Sequence, residues 1–254
     1  MSTHFKIIIP VYNAEPYIQN ALISVMNQDY DNFECIITDD YSTDNTVDVV
    51  DDFIYEHALE DYFHLRRNQK RMFALYNLYS MMLSSDADDE DVYITLDGDD
   101  WLAGNDVLSK LDQIYTEDDC WLTYGSYVVY PSGQDSSFHV TEYHHKTIKS
   151  GDFRKDPQWR ASHLRTFKHK LARHIQEEDL IDEDGSYYRY AYDQALMFPM
   201  MEMARERIRF VSDILCVYND ENPMNVHKIE PQVQIDMAER VRNNHEKKDK
   251  LLCM

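Results

Sequence analysis

The sequence predicts an α/β fold built on a mostly parallel, doubly wound sheet. Three observations carry that expectation. Apolar strand-like runs alternate with amphipathic helical stretches in a β-α-β-α rhythm. One run, residues 92–96 (Val-Tyr-Ile-Thr-Leu), has the composition of a strand buried on both faces. The first strands also leave through polar exits, which in such a sheet gather in one crevice beyond the carboxyl ends.

Residues 5–11 form the first strand and end at Pro10-Val11-Tyr12-Asn13, after which Glu15-Pro16 marks a helix start. Tyr17, Ile18, Ala21, Leu22, Val25 and Met26 recur at helical spacing and give that helix one face to pack on a sheet. Residues 33–38 make the second strand. The run Asp39-Asp40-Tyr41-Ser42-Thr43-Asp44-Asn45-Thr46 supplies its exit and caps a helix reaching Ile54. A third strand at 62–65 leads through Arg66-Arg67-Asn68-Gln69-Lys70-Arg71 into a helix over 72–83.

The strand at 92–96 ends in Asp97-Gly98-Asp99-Asp100, three carboxylates within four residues. Gly98 lets the chain turn there. Three acids in a low-dielectric crevice repel one another unless a cation neutralises them, and hard oxygen ligands favour Mg²⁺ or Mn²⁺. The alternative is an acidic turn facing water. No exit carries a Gly-x-Gly-x-x-Gly turn or a Gly-Lys-Ser/Thr loop, which disfavours dinucleotide enzymes and phosphate-loop nucleotidases.

Beyond a helix over 106–115 the pattern changes. Residues 120–130 and 137–143, rich in Tyr, Val and Trp, read as antiparallel strands joined at Pro131-Ser132-Gly133. Helices are expected over 164–175 and 192–205, the latter kinked or interrupted at Pro199, with a last strand at 208–218. A charged helix over 233–248 braces the domain or mediates self-association. The expected organisation is one domain: a nucleotide-binding half over about 1–104, an acceptor half over about 105–227 and a helical extension over about 228–254.

At 254 residues the chain can bury a sizeable core. Its net charge of −22 argues against nucleic acid or an anionic membrane as partner. Cys35, Cys120, Cys216 and Cys253 form no short-spaced ligand pairs, against a zinc site, and suit a reduced compartment. With no signal-like start and no transmembrane segment, a soluble, cytoplasmic protein is expected.

Taken in order, Pro10-Val11-Tyr12-Asn13, Asp39-Asp40-x-Ser42-x-Asp44-x-Thr46 and Leu96-Asp97-Gly98-Asp99-Asp100 resemble the exits of the family 2 glycosyltransferases of the GT-A fold. The resemblance spans most of the chain and is strongest over residues 5–130. It implies an inverting transfer of a sugar from a nucleoside diphosphate donor, UDP favoured, to an acceptor hydroxyl on a glycan. Pro10 and Tyr12 would border the base, Asp40 would accept a hydrogen bond from a uracil-like imide, and Arg71 would reach the donor. Asp97 would contact the ribose side, and Asp99, supported by Asp100, would hold Mn²⁺ or Mg²⁺.

The resemblance also implies that His163, in Ala161-Ser162-His163-Leu164-Arg165, faces the site, against a cap or core role. Asp193 in Tyr192-Asp193-Gln194 would be the catalytic base, against a plain helix cap. Tyr192 stands where many relatives carry an acid, which leaves Glu177, Glu178 and Asp179 as competitors for that role. His227, in the loop after Tyr218, would approach the metal or diphosphate, against an exposed loop histidine. Two rival readings are a metal-dependent nucleotidyltransferase, for which residues 12–18 lack the triphosphate loop, and a non-catalytic carbohydrate- or nucleotide-binding module.

Overall fold

The structure, a computed structural model, describes residues 2–84, 86–137, 140–243 and 246–251; the side chains of 226 and 227, and Cys253, lie outside it. Every residue of β1 (Phe5–Val11) is buried, because this strand sits between two others with helices on both faces. After it come α1 (Ile18–Met26), β2 (Phe33–Asp39), α2 (Thr46–Glu56), β3 (Phe63–Arg67), α3 (Phe73–Ser84) and β4 (Val92–Thr95). The chain continues through β5 (Trp101–Leu102), α4 (Val107–Glu117), β6 (Leu122–Tyr130), α5 (His145–Ser150), β7 (Arg165–Lys168) and α6 (His169–Ala172). It closes with α7 (Tyr192–Ala204), β8 (Ile208–Asn219), α8 (Val226–Ile229) and α9 (Pro231–Asn243).

All eight strands join one sheet in the order β3-β2-β1-β4-β7-β6-β8-β5. The first four run parallel, as the β-α rhythm requires. Alternate residues of β1 feed opposite cores. Ile8 packs with Leu75, Tyr93, Phe167 and α7 on one face, and Ile7 and Ile9 with Leu22, Val50 and Leu111 on the other.

Three expectations for the second half are corrected. Residues 120–130 form a strand, yet β6 runs parallel to β8 along its length and antiparallel to β7 at Leu122 and Thr123. No strand forms over the described part of 137–143. The turn at Pro131 closes with one bridge, Val128 to Asp135, and Tyr143 serves instead as a buried loop anchor whose amide donates to the Tyr124 hydroxyl at 2.9 Å.

The most consequential correction concerns 164–175, expected as a helix. Residues 165–168 are the strand β7, inserted antiparallel between β4 and β6, and only a short helix follows. The helical reading failed because Arg165, Thr166 and Lys168 look like a solvent face, whereas each is buried with a partner. Thr166 shares hydroxyl bonds with Tyr115 at 2.7 Å and Thr123 at 2.6 Å. The two-residue strand β5 had no sequence signal.

The terminal segment braces the domain. Arg154 joins Glu202 of α7, at 2.7 Å, to the carbonyl of Val241 in α9, at 2.6 Å. The Lys248 amide then donates to Glu202 and the Leu251 amide to the Met203 carbonyl.

Candidate active site

The exits of β1, β2 and β4 meet as expected. Gly98 packs against the end of β1 so closely that a Cβ there would lie 2.4 Å from Val11 Cγ1 and 3.2 Å from the Pro10 carbonyl oxygen. Its backbone does not adopt the left-handed conformation, so close approach, rather than turn geometry, calls for glycine.

Asp40 is buried and holds the loop between β3 and α3. Its Oδ1 accepts from Asn68 Nδ2 at 2.9 Å and from the Met72 amide at 2.7 Å, while Oδ2 accepts from the Phe73 amide at 2.8 Å. With one such donor, Oδ2 keeps a lone pair. The loop carries Arg71, whose guanidinium carbon lies 3.6 Å from the Tyr12 ring centroid. Tyr12, Arg71 and Asp40 thus form one wall, and Pro10, two residues before Tyr12 in β1, is buried. Arg189 adds a second guanidinium at 4.5 Å from the Phe73 ring, a neighbour the sequence did not signal.

The acidic turn is built from two directions. Asp100 is 1% exposed, and its Oδ1 accepts from the Asn219 amide at the end of β8 at 2.8 Å. Asp99 Oδ2 accepts from the Asn222 side-chain amide at 2.7 Å. The loop after β8 therefore clamps the turn. Burial pushes the Asp99 carboxyl up, and the neighbouring Asp97 adds to this. Burial raises Asp100 well above the usual carboxylate range, with Asp99 and Asp97 contributing. His227 follows in α8, and its side chain lies outside the described residues.

Arg165, 4% exposed, is the residue the sequence reading missed. One terminal nitrogen is 3.6 Å from Asp97 Oδ2 and the other 3.4 Å from Asp193 Oδ2. Burial opposes its charge, but Tyr192, Asp193 and Asp97 outweigh that and hold its pKa up. Tyr192 donates to Asp97 Oδ1 and so ties α7 to the acidic turn.

Asp193 is not a helix cap. Ala191 occupies the cap position in a left-handed conformation, and no side chain caps the helix. Asp193 Oδ2 instead accepts from Trp159 Nε1 at 2.8 Å as well as from Arg165. Glu177, Glu178 and Asp179 lie on a turn anchored by the Tyr187 hydroxyl and Lys248, where they do not share this guanidinium.

His163 lies inward, 3.7 Å from Asp100 Oδ2 and edge-on to Tyr127. Burial, aided by Arg165, pulls its pKa down to about 3, so the ring is neutral. Asp100, His163 and Cys216 place candidate ligand atoms within 4.8 Å of one another, and Asp100 Oδ2 has no hydrogen-bond partner. The Arg165 guanidinium, 3.4 Å from His163 Nδ1, disfavours a dication there. The outer carboxylates are different. Asp99 is only partly buried, offers oxygen alone and suits a hard divalent ion, whereas Asp97 already faces Arg165 and Tyr192.

Comparison with known proteins agrees with this architecture. The profile of "Glycosyl transferase family 2" matches residues 6–194. An uncharacterized glycosyltransferase of Haemophilus influenzae is 35% identical over 123 residues, 48% of this chain and 46% of its own. A dolichyl-phosphate-linked diacetamido-glucuronosyltransferase of Methanococcus voltae is 42% identical over 68 residues, 26% of this chain and 21% of its own. The chain thus spans under half the length of these curated relatives.

Among solved structures, S. aureus TarS 1-349 in complex with UDP-GlcNAc superposes with a TM-score of 0.66 at 16% identity, covering 92% of this chain and 64% of that one. The mannosyltransferase PcManGT from Pyrobaculum calidifontis, in complex with GDP-Man and Mn²⁺, gives 0.59 at 17% identity, covering 85% and 57%. No helix among the described residues is long and apolar enough to cross a membrane. A sheet of this order, an acidic turn at the carboxyl end of β4 and a profile match across three quarters of the sequence agree: the chain belongs to glycosyl transferase family 2 and has the GT-A fold.

Proposed function

We propose that the enzyme moves a sugar from a UDP-sugar to an acceptor hydroxyl with inversion, Asp193 acting as the base and a divalent metal, Mn²⁺ or Mg²⁺, held by Asp99. The observation that carries the reading is Arg165, which bridges Asp97 of the acidic turn and Asp193 of α7 through opposite nitrogens. Among the described residues both side-chain bonds to Asp193 fall on Oδ2, which leaves Oδ1 for the acceptor's proton. Arg165 and Trp159 fix the carboxylate's orientation, and α7 carries it on a rigid element.

Asp40, Tyr12, Pro10 and Arg71 form the base end of the donor site, with the free lone pair of Asp40 Oδ2 available to an imide N–H. Neutral His163 lies beneath the turn as a positioning group, and Asp100 anchors the clamp loop. A bound metal would supply charge stabilisation to the departing diphosphate. TarS is known with UDP-GlcNAc and PcManGT with GDP-Man and Mn²⁺, which supports a nucleotide-sugar donor and a metal. The acceptor is taken to be a hydroxyl-rich polymer, with a glycan favoured over the poly(ribitol-phosphate) in the name of TarS because this chain is strongly acidic.

The test combines UDP calorimetry with UDP-release assays. Asp99→Ala is expected to abolish the Mn²⁺-dependent part of UDP affinity. Asp193→Asn should bind UDP like wild type while kcat falls about 10²-fold or more. Equal UDP affinity for wild type and Asp99→Ala in Mn²⁺ would contradict the metal assignment, and an undiminished kcat in Asp193→Asn would contradict the base.

A further inference from the structure

A groove beside the acidic turn, sharing only Asn219 with the residues assigned above, runs between the start of α1 and the carboxyl ends of β6 and β8. Its lining includes Tyr17, Asn20, Trp101, Tyr130, Asn219 and Glu221. Trp101 and Tyr130 meet edge to face, with ring centroids 5.3 Å apart, and Tyr130 is 44% exposed. The pair is more open than a packing role requires.

The groove is continuous with the acidic turn. Trp101 directly follows Asp100, whose carboxylate takes the Asn219 amide. The Glu221 amide donates to Asn219 Oδ1, and the next residue, Asn222, donates to Asp99. One loop therefore both clamps the turn and walls the groove.

Its chemistry selects a ligand class. Aromatic rings accept the C–H faces of pyranose rings, while amides and a carboxylate pair with hydroxyls. No lysine or arginine lines it among the described residues, and the chain carries a net charge of −22, so an anionic polymer meets repulsion there.

We propose that this groove is a subsite for an uncharged oligosaccharide, namely the acceptor strand beyond the sugar that reacts; the word acceptor rests on the transferase reading above. The probes are neutral tetrasaccharides of glucose, mannose and N-acetylglucosamine, with a glycerol-phosphate oligomer as the anionic counterpart. Binding is read by saturation-transfer NMR and calorimetry on wild type, Trp101→Ala and Tyr130→Ala.

The expected result is that at least one neutral probe binds wild type and loses tenfold or more in both variants. Mn²⁺-dependent UDP affinity should change less than twofold, and the anionic oligomer should not compete. Tyr130→Ala keeps the test intact should Trp101→Ala fold poorly. The proposal is overturned if no neutral probe binds, if binding is equal in wild type and Tyr130→Ala, or if the anionic oligomer displaces the bound sugar. Failure of the donor reading would show separately, in UDP titrations of Asp99→Ala, and leaves the groove measurement unaffected.

Discussion

Arg165 decides how the site is held together. A buried guanidinium needs carboxylate partners, and here it has two, on elements far apart in sequence. A lone arginine inside an expected helix carried no such signal, because its partners become visible only once β7 lies beside β4. Asp97 and Asp99 were singled out as carboxylates directly behind an apolar strand, and Asp193 through the family resemblance, since an acid in a turn or at a helix start is ordinary. Gly98 was legible as a glycine but for another reason than the one that holds. Gly98→Ala would drive a methyl into Val11 and is expected to cost about 1–3 kcal/mol, seen as a lowered Tm. Val11→Ala in the same chain should recover part of that loss, and simple additivity of the two substitutions would reject the steric account.

Helices and strands of the first half could be read because each buries a regular apolar pattern in a single β-α unit. The second half hid its topology. β6, β7 and β8 pair out of sequence order, and their polar residues are satisfied by partners rather than by water. The terminal segment was legible as a helix that braces the domain or self-associates, and the contacts by which it braces were not. Lys247 bonds Asp152 at 2.9 Å and, with lesser help from Lys155, holds that carboxyl down at about 2.

Because the folded pKa lies below the unfolded one, this contact contributes stability above the unfolded carboxyl pKa. The contribution is lost as pH falls through about 2. In urea titrations, Lys247→Met should therefore be less stable than wild type at neutral pH. The gap should narrow from about pH 4 downward. A gap that stays constant down to pH 2 would show that the segment is held by other contacts.

Across the chain, the fold follows from burying two cores against one sheet, and the site follows from where that sheet's strands end. β1, β2 and β4 deliver the residues proposed for the donor side, β7 delivers Arg165, α7 delivers Asp193 and the loop after β8 clamps the acidic turn. The high negative charge makes the account specific, since such a surface attracts a diphosphate donor poorly without a cation. The direct measurement is anomalous diffraction from crystals soaked with UDP and Mn²⁺. The account predicts a manganese peak within about 2.3 Å of an Asp99 carboxylate oxygen, with the diphosphate bound to the same ion. Manganese lodged instead among Asp100, His163 and Cys216, or UDP bound away from Asp99, would contradict it.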